Sequence, residues 1–385
     1  MKQLTVGVVR TSRKDDERRL AIHPAHFDRI DPGLRNRIFV EQGYGERFGY
    51  SDERLEPLVA GHRTRAELFS ECDVLLLPKP EAEDLENLRP GQVVWGWPHC
   101  VQDQRMTQLA VDRGLTLIAW EAMNHWTKEG NFSVHVFHKN NELAGYCSVL
   151  HALQLRGSCG DYGRRLRAAV ISFGATARGA VRALSALGIS DVTVLTQRSV
   201  SAVAAPFASV RMQHFARDPA NPSRTLALKA PEPGPLAEML AQYDIVVNCI
   251  LQDTDEPLMF VLNEDLHYFA PGTLFIDVSC DEGMGFEWAR PTSFADPMFT
   301  VGEDLHYYGV DHTPSYLWNS ATWENSEALL EYLPIVMSGP DAWDGNETIR
   351  RAIEIREGRV QNLRILSFQG RAAAYPYAII EPPAA

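Results

Sequence analysis

A lysine and a histidine, each just beyond an apolar run, are of types that can move protons: Lys79 in "DVLLLPKP" and His99 in "VVWGWPHC". Side chains at the carboxyl ends of neighbouring parallel strands share one edge of a sheet, the edge at which open α/β folds bind ligands. Histidine titrates in the physiological range, and a lysine at such an edge can be tuned toward proton exchange by partial burial. A lone histidine after a strand is more often structural than catalytic, so the catalytic reading rests on the pair.

A second constellation is "SFGATARGA", Ser172 to Ala180. A dinucleotide site needs a strand, a tight turn that lets backbone N–H groups approach a pyrophosphate, and a helix whose N-terminus faces that charge. Here Ala168 to Ile171 supply the strand and Gly174 the glycine of closest approach. Ala175 and Thr176 continue the turn into a helix, and Ala177 takes the third fingerprint position. Ser172 replaces the first glycine, which leaves a small-residue turn in a structural domain as the alternative. The next strand, "DVTVLT", ends in Thr196, Gln197 and Arg198, with no acidic residue for a ribose 2′-hydroxyl. That run favours NADPH over NADH, with Arg198 pairing the 2′-phosphate. A solvated arginine is the alternative for Arg198.

The elements that must position these residues follow from the patterning. The first third alternates apolar runs ("LTVGVV", "RIFVE", "DVLLL", "QVVWGW", "LTLIAW") with amphipathic stretches ("RAELFSE", "RMTQLAVDRG"), as a parallel sheet with crossover helices does. "NNELAGYCSVLHALQLRG" predicts one long helix ending at Gly157. A second alternation follows: "RAAVIS", a helix through "ARGAVRALSALG", "DVTVLT", a Pro-rich connector "DPANPSRTLALKAPEPGP", "YDIVVNCI" and "GTLFIDVS". The tail carries two helical patterns, "WENSEALLEYLP" and "NETIRRAIEIREG", and no clear sheet of its own, so it is expected to pack on the first domain. The expected fold class is α/β: two Rossmann-like doubly wound domains with a cleft between them, the N-terminal one completed by the C-terminal helices. Residues 1–140 with 312–385 are expected to form the substrate domain and 141–311 the NAD(P)-binding domain.

Composition narrows the function classes. With 385 residues, 45% of them apolar, the chain is long enough for two cores, and 50 acidic against 37 basic residues give a net charge of −13. That balance argues against nucleic acid or an anionic membrane surface as a partner. Six cysteines without C-x-x-C or tight Cys/His spacing suggest neither a disulfide framework nor a metal site. The first twenty residues turn charged after one short apolar run, and no run reaches membrane-spanning length, so a cytoplasmic protein is expected. Exposed helical surfaces make a homo-oligomer the expected assembly.

Several of these stretches together resemble the alanine dehydrogenase family, with its saccharopine dehydrogenase (lysine-forming) and N5-(carboxyethyl)ornithine synthase branches. "ERRLAIHP" is similar to the family's opening Arg-x-Ala-x-x-Pro signature, "DVLLLPKP" to its lysine strand and "FIDVSCDEG" to its Asp-Val-x-x-Asp-x-Gly strand end. "VVWGWPHC" and "AGYCSVLHAL" look most like the synthase branch, whereas "GVDHTPS" combines features of the saccharopine and synthase branches.

The resemblance implies that Arg19 holds a keto-acid carboxylate, and that Lys79 contacts the substrate carbonyl oxygen or transfers protons. It implies His99 as the catalytic histidine and Asp281 as a catalytic aspartate facing the substrate from the nucleotide domain. Asp277 is expected to support the turn, and Arg18 to be solvated. Asp311 and His312 match a segment that lies near nicotinamide and substrate in the resembling families, so Asp311 is expected on the cofactor and His312 on the substrate.

The reaction so implied joins a 2-keto acid to an amino-acid amine and reduces the product with NADPH, with no metal. Saccharopine-type oxidative cleavage, alanine dehydrogenase activity and a dinucleotide sensor without turnover are the alternatives. The segment His125 to Asn141 is either part of an amine pocket or a surface insertion.

Overall fold

The computed structural model describes residues 3–197, 210–228, 232–250, 252 and 256–380. The chain forms two compact units, Met1–His138 with Trp318–Ala385, and Lys139–Leu317.

The first unit is built on an eight-stranded sheet. In spatial order its strands are Arg359–Val360, Ile353–Arg356, Thr116–Ala119, Val93–Gly96, Val74–Leu76, Val6–Val8, Ile38–Glu41 and Gly61–Arg63. The last six of these are mutually parallel. Numbered along the chain they run 3-2-1-4-5-6, the order of a doubly wound sheet, which reverses direction between Val6–Val8 and Val74–Leu76. Both faces are covered, so these strands read as continuous apolar runs. Val6, Val74, Trp95 and Ile118 pack with Phe27, Tyr44, Trp120 and Trp343 on one side. Leu75, Val94 and Leu117 meet Leu68, Met106, Ile355 and Ile365 on the other.

The second unit repeats the plan. Its nine strands are ordered Gly234–Pro235, Thr225–Leu228, Val210–Arg217, Asp191–Thr196, Arg167–Ile171, Ile245–Asn248, Leu274–Asp277, Leu305–Tyr308 and Met298–Val301. Six are parallel and again run 3-2-1-4-5-6, with antiparallel strands added at both edges. The order reverses beside Arg167–Ile171, the strand that leads into Gly174.

Four expectations change. The N-terminal unit is completed by strands as well as helices: the pattern read as helix through "NETIRRAIEIREG" stops at Ala352, and Ile353–Arg356 joins the sheet antiparallel to Thr116–Ala119. Ile353 and Ile355 are both buried there, and β-branched side chains suit a strand better than a helix. The Pro-rich connector holds a strand, Thr225–Leu228, paired antiparallel with Val210–Arg217. The segment 125–141 holds most of a hairpin, Asn124–Trp126 with Phe132–His135, and the long helix begins at His138.

The fourth change concerns the boundaries, which fall at 138/139 and 317/318. Asp311 and His312 therefore belong with the nucleotide unit, not the latter with the substrate domain. The Thr313 hydroxyl holds this stretch to the helix His138–Leu155, 3.0 Å from the Ser148 hydroxyl, and the chain leaves only with the helix Trp318–Leu330.

Candidate active site

Lys79 and His99 follow the neighbouring parallel strands Val74–Leu76 and Val93–Gly96, in which Leu76 pairs with Trp95. The two backbones come unusually close beyond the paired residues. A Cβ at Gly96 would lie 2.0 Å from the Leu77 carbonyl oxygen, so only glycine admits this approach. The Trp97 N–H then donates to the Pro78 carbonyl at 2.9 Å, and the strand ends bring Lys79 Nζ to 2.7 Å from His99 Nε2. An ammonium has only donors to offer, so with Lys79 charged His99 accepts at Nε2 and carries its ring proton on Nδ1.

His99 has a φ of 47°, the left-handed region, which costs a non-glycine residue about 1 kcal/mol or more. Glu121, just past the next strand Thr116–Ala119, secures it: Glu121 Oε1 accepts the His99 backbone N–H at 2.7 Å and lies 3.7 Å from Nδ1. Burial of its carboxyl end is the main cause that pushes Glu121 up to about 8.

Arg19 is 4% exposed, and its guanidinium stands 4.8 Å from the Trp97 ring centre, two residues before His99. Glu17 takes its Nε at 2.9 Å and Nη2 at 2.5 Å, and also accepts the Arg19 backbone N–H at 2.9 Å. Arg18 is half-exposed and ion-paired with Asp16. The loop carrying Arg19 is tied to the turn after Lys79. Arg13 and Arg65 donate to the buried Asp84 at 2.7 and 2.8 Å, and Asp84 also accepts the Glu81 N–H at 3.0 Å. Lys79, His99 and Arg19 thus gather at the strand ends where the sheet order reverses.

In the second unit, Ser172 takes a φ of 86° and its N–H donates to the Leu195 carbonyl at 2.7 Å. Gly174 is the N-cap of the helix Ala175–Ala186, with no side-chain hydrogen bond capping it, and its φ of −81° is open to any residue. A Cβ built there meets nothing within 4 Å. Arg178 is the first residue whose N–H reaches a helix carbonyl, that of Gly174 at 3.0 Å. The N–H groups of Ala175, Thr176 and Ala177 precede that first helical bond. Thr196 is buried at its strand end and Gln197 is exposed, whereas Arg198 lies outside the described residues.

Asp277, fully buried, accepts from Asn248 Nδ2, the Cys280 N–H and the Tyr307 hydroxyl, each at 3.0 Å. Burial is the main cause that pushes it up to about 7. These bonds fix the turn that presents Asp281, and Cys280 within it has a φ of 45°. Burial also raises Asp281 above the usual carboxylate range. His312 is buried with its ring edge on Phe294, and its Nδ1 is paired with the Asp311 carboxylate.

Two family models match the chain, the alanine dehydrogenase/PNT N-terminal domain over residues 7–144 and the C-terminal domain over 164–363, the second alone spanning more than half of its length. The chain belongs to the alanine dehydrogenase/PNT family. As a member it is an NAD(P)-dependent oxidoreductase of amino-acid metabolism.

Among curated relatives, the N(5)-(carboxyethyl)ornithine synthase of Clostridium botulinum is 24% identical over 83% of this chain and 90% of its own. Alanine dehydrogenase 1 of Staphylococcus aureus is 22% identical over 94% of this chain and 96% of its own. Among solved structures, an L-alanine dehydrogenase aligns with a TM-score of 0.74 at 16% identity, covering 95% of this chain and 99% of that one. A transhydrogenase from Sinorhizobium meliloti gives 0.66 at 20% identity, covering 93% and 99%. These structural likenesses establish the shared fold.

The residues of this family member fit a dinucleotide. Gly174 needs no glycine for its own conformation or packing, and the open space where its Cβ would stand is a cradle beside an uncapped helix N-terminus. Among the described residues no helix is long and apolar enough to cross a membrane. Sequence reasoning missed Glu17 and Glu121. Both had a signal: Glu17 stands two residues before Arg19, and Glu121 lies two residues past the next strand of the parallel run that carries Lys79 and His99.

Proposed function

We propose that this family member catalyses the NADPH-dependent reductive amination of a 2-keto acid with the amine of an amino acid, giving a secondary amine of the opine class. The observation that carries the reading is the 2.7 Å contact of Lys79 Nζ with His99 Nε2 at the point where the sheet order reverses. Arg19 binds the keto-acid carboxylate, its orientation fixed by Glu17 and by the Trp97 ring. The Lys79 ammonium donates toward the carbonyl oxygen as the amine adds, and His99 holds or takes the proton that moves on nitrogen. From the nucleotide unit, Asp281 serves as a further catalytic group and His312 binds the substrate. Ser172, Gly174, Ala175, Thr176 and Ala177 cradle the pyrophosphate, and Thr196, Gln197 and Asp311 line the rest of the cofactor site. The bound nicotinamide supplies the hydride. The matches to carboxyethylornithine synthases, together with a strand end free of acidic residues, favour the secondary-amine product over ammonia chemistry.

The test is a screen of NADPH oxidation that pairs pyruvate, glyoxylate and 2-oxoglutarate with ammonia, ornithine and lysine, with mass detection of the product. Oxidation that requires both a keto acid and an amino-acid amine supports the reading; oxidation with a keto acid when ammonia is the sole effective amine would replace it with an alanine dehydrogenase reaction. NADPH is expected to bind more tightly than NADH, and Arg198→Ala to narrow the gap. An unchanged preference in titrations of both dinucleotides removes Arg198 from the site.

A further inference from the structure

None of the residues placed on the cofactor, the substrate or the moving protons lies on the helix His138–Leu155, yet two of its faces touch both ends of the proposed cofactor site. Glu142 and Gly145, three residues apart, share one face, which crosses the helix Ala175–Ala186 backbone to backbone. A Cβ at Gly145 would lie 1.9 Å from the Thr176 carbonyl oxygen, and one at Gly179 would lie 1.7 Å from that of Glu142. The atoms met are backbone, so no change of rotamer makes room. Arg182 closes the crossing with a 2.6 Å hydrogen bond to the Glu142 carboxylate.

Ala144, Ser148 and His151 follow one another at helical spacing along the neighbouring face. There the Thr313 hydroxyl stands 3.1 Å from the Ala144 carbonyl oxygen and 3.0 Å from the Ser148 hydroxyl, which reaches the same carbonyl at 2.8 Å. Two hydroxyl protons thus serve three oxygens, with Ser148 fully buried and Thr313 nearly so. One turn on, His151 Nδ1 lies 3.0 Å from the hydroxyl of Tyr308, the last residue of the strand that leads into Asp311. The Ser315 N–H closes the far side, donating to the His312 carbonyl at 3.0 Å. Asp311 and His312 are therefore flanked by Tyr308 and Thr313, both fixed to one helix.

We propose that the turn Ala144–Ser148 is a spacer that sets the distance from the pyrophosphate turn, Ser172–Ala177, to the Asp311–His312 segment, with Gly145, Ser148 and Thr313 as positioning residues for the dinucleotide; this rests on the cofactor binding as proposed. A dinucleotide is two nucleotides on one linker, and its second half gains from the first only where the two subsites are spaced to match it. Backbone contact at Gly145 fixes one side of the spacer, and buried hydrogen bonds at Thr313 fix the other. A side chain at 145 pushes the phosphate helix away, and loss of the hydroxyl at 313 releases the Asp311–His312 segment.

Calorimetric titration of the full chain tests this with neither keto acid nor amine present. The ligands are NADPH and NADH, each beside its fragment without nicotinamide, 2′-phospho-ADP-ribose and ADP-ribose. Thr313→Val keeps the side-chain shape and leaves Ser148 bonded to the Ala144 carbonyl, but removes both hydrogen bonds of the segment. It is expected to weaken the whole dinucleotide about tenfold or more and its fragment less than about twofold. In Ser148→Ala the Thr313 hydroxyl still reaches the Ala144 carbonyl, so a smaller difference of the same sign is expected. Thr313→Ser, which keeps the hydroxyl, is expected to bind as the wild type does. Gly145→Ala, with its methyl against the first turn of the phosphate helix, is expected to weaken dinucleotide and fragment alike. Equal losses for dinucleotide and fragment in Thr313→Val, or in Ser148→Ala should melting show that Thr313→Val does not fold, overturn the spacer and leave the dinucleotide site standing. A wild type that binds none of the four ligands overturns both.

Discussion

Lys79→Ala and His99→Ala are each expected to lower kcat by about 100- to 10,000-fold, the range that a positioned acid or base contributes, with NADPH binding expected to persist. The two side chains touch, so each substitution also alters the other. Without the ammonium, His99 Nε2 loses the donor 2.7 Å away; without the ring, Lys79 loses the acceptor that orients it. Groups that act as a unit are non-additive, and the double variant is expected to be little worse than either single one. Single-turnover NADPH oxidation measures the chemical step, and a fluorescence titration measures binding. Near-normal rates in either single variant would remove that residue from the mechanism, and fully additive losses would break the unit apart.

Gly174→Ala separates binding from folding. The φ of −81° and ψ of −167° suit alanine, and its Cβ would meet no protein atom within 4 Å. The stability cost is therefore that of a poorer N-cap residue, below about 1 kcal/mol. The added methyl stands where a pyrophosphate would approach the helix N-terminus, so affinity for NADPH and NADH alike is expected to fall by at least about tenfold, or 1.4 kcal/mol. Thermal melting of the free protein and calorimetric titration with each dinucleotide check the two halves. A variant that binds as the wild type does would place the phosphate elsewhere.

Much of this site is legible in the sequence because strand ends are. Lys79 and His99 follow continuous apolar runs, and a parallel sheet delivers the ends of neighbouring runs to one edge. Glu121 follows the run "LTLIAW" in the same way, but its value depends on the left-handed turn at His99, which no local pattern announces. The turn at Ser172 shows a related limit. The string "SFGATARGA" marks the place, yet the residue that substitutes for the first glycine adopts a glycine-like φ itself, so the strain rests on Ser172 and was not avoided by another geometry. The strand Ile353–Arg356, second from the edge of its sheet, was hidden for a different reason. "RRAIEIREG" has residues that suit a helix, and the facing strand Thr116–Ala119, more than 230 positions earlier, decides its state.

The N-terminal unit is assembled from both sides of a 179-residue interruption, Lys139–Leu317. Leu4 donates its N–H to the Met337 carbonyl, Leu20 donates to the Thr322 hydroxyl, and His26 Nδ1 sits 2.8 Å from the Ser326 hydroxyl. On a ribosome those partners emerge last. The interrupting unit has its whole sequence in hand before then and is free to fold first, while the segment bearing Arg19, Lys79 and His99 waits with an apolar sheet face uncovered. Synthesis thus lets the unit that carries Ser172 to Ala177 fold before the C-terminal partners of the segment bearing Lys79 and His99 have left the ribosome.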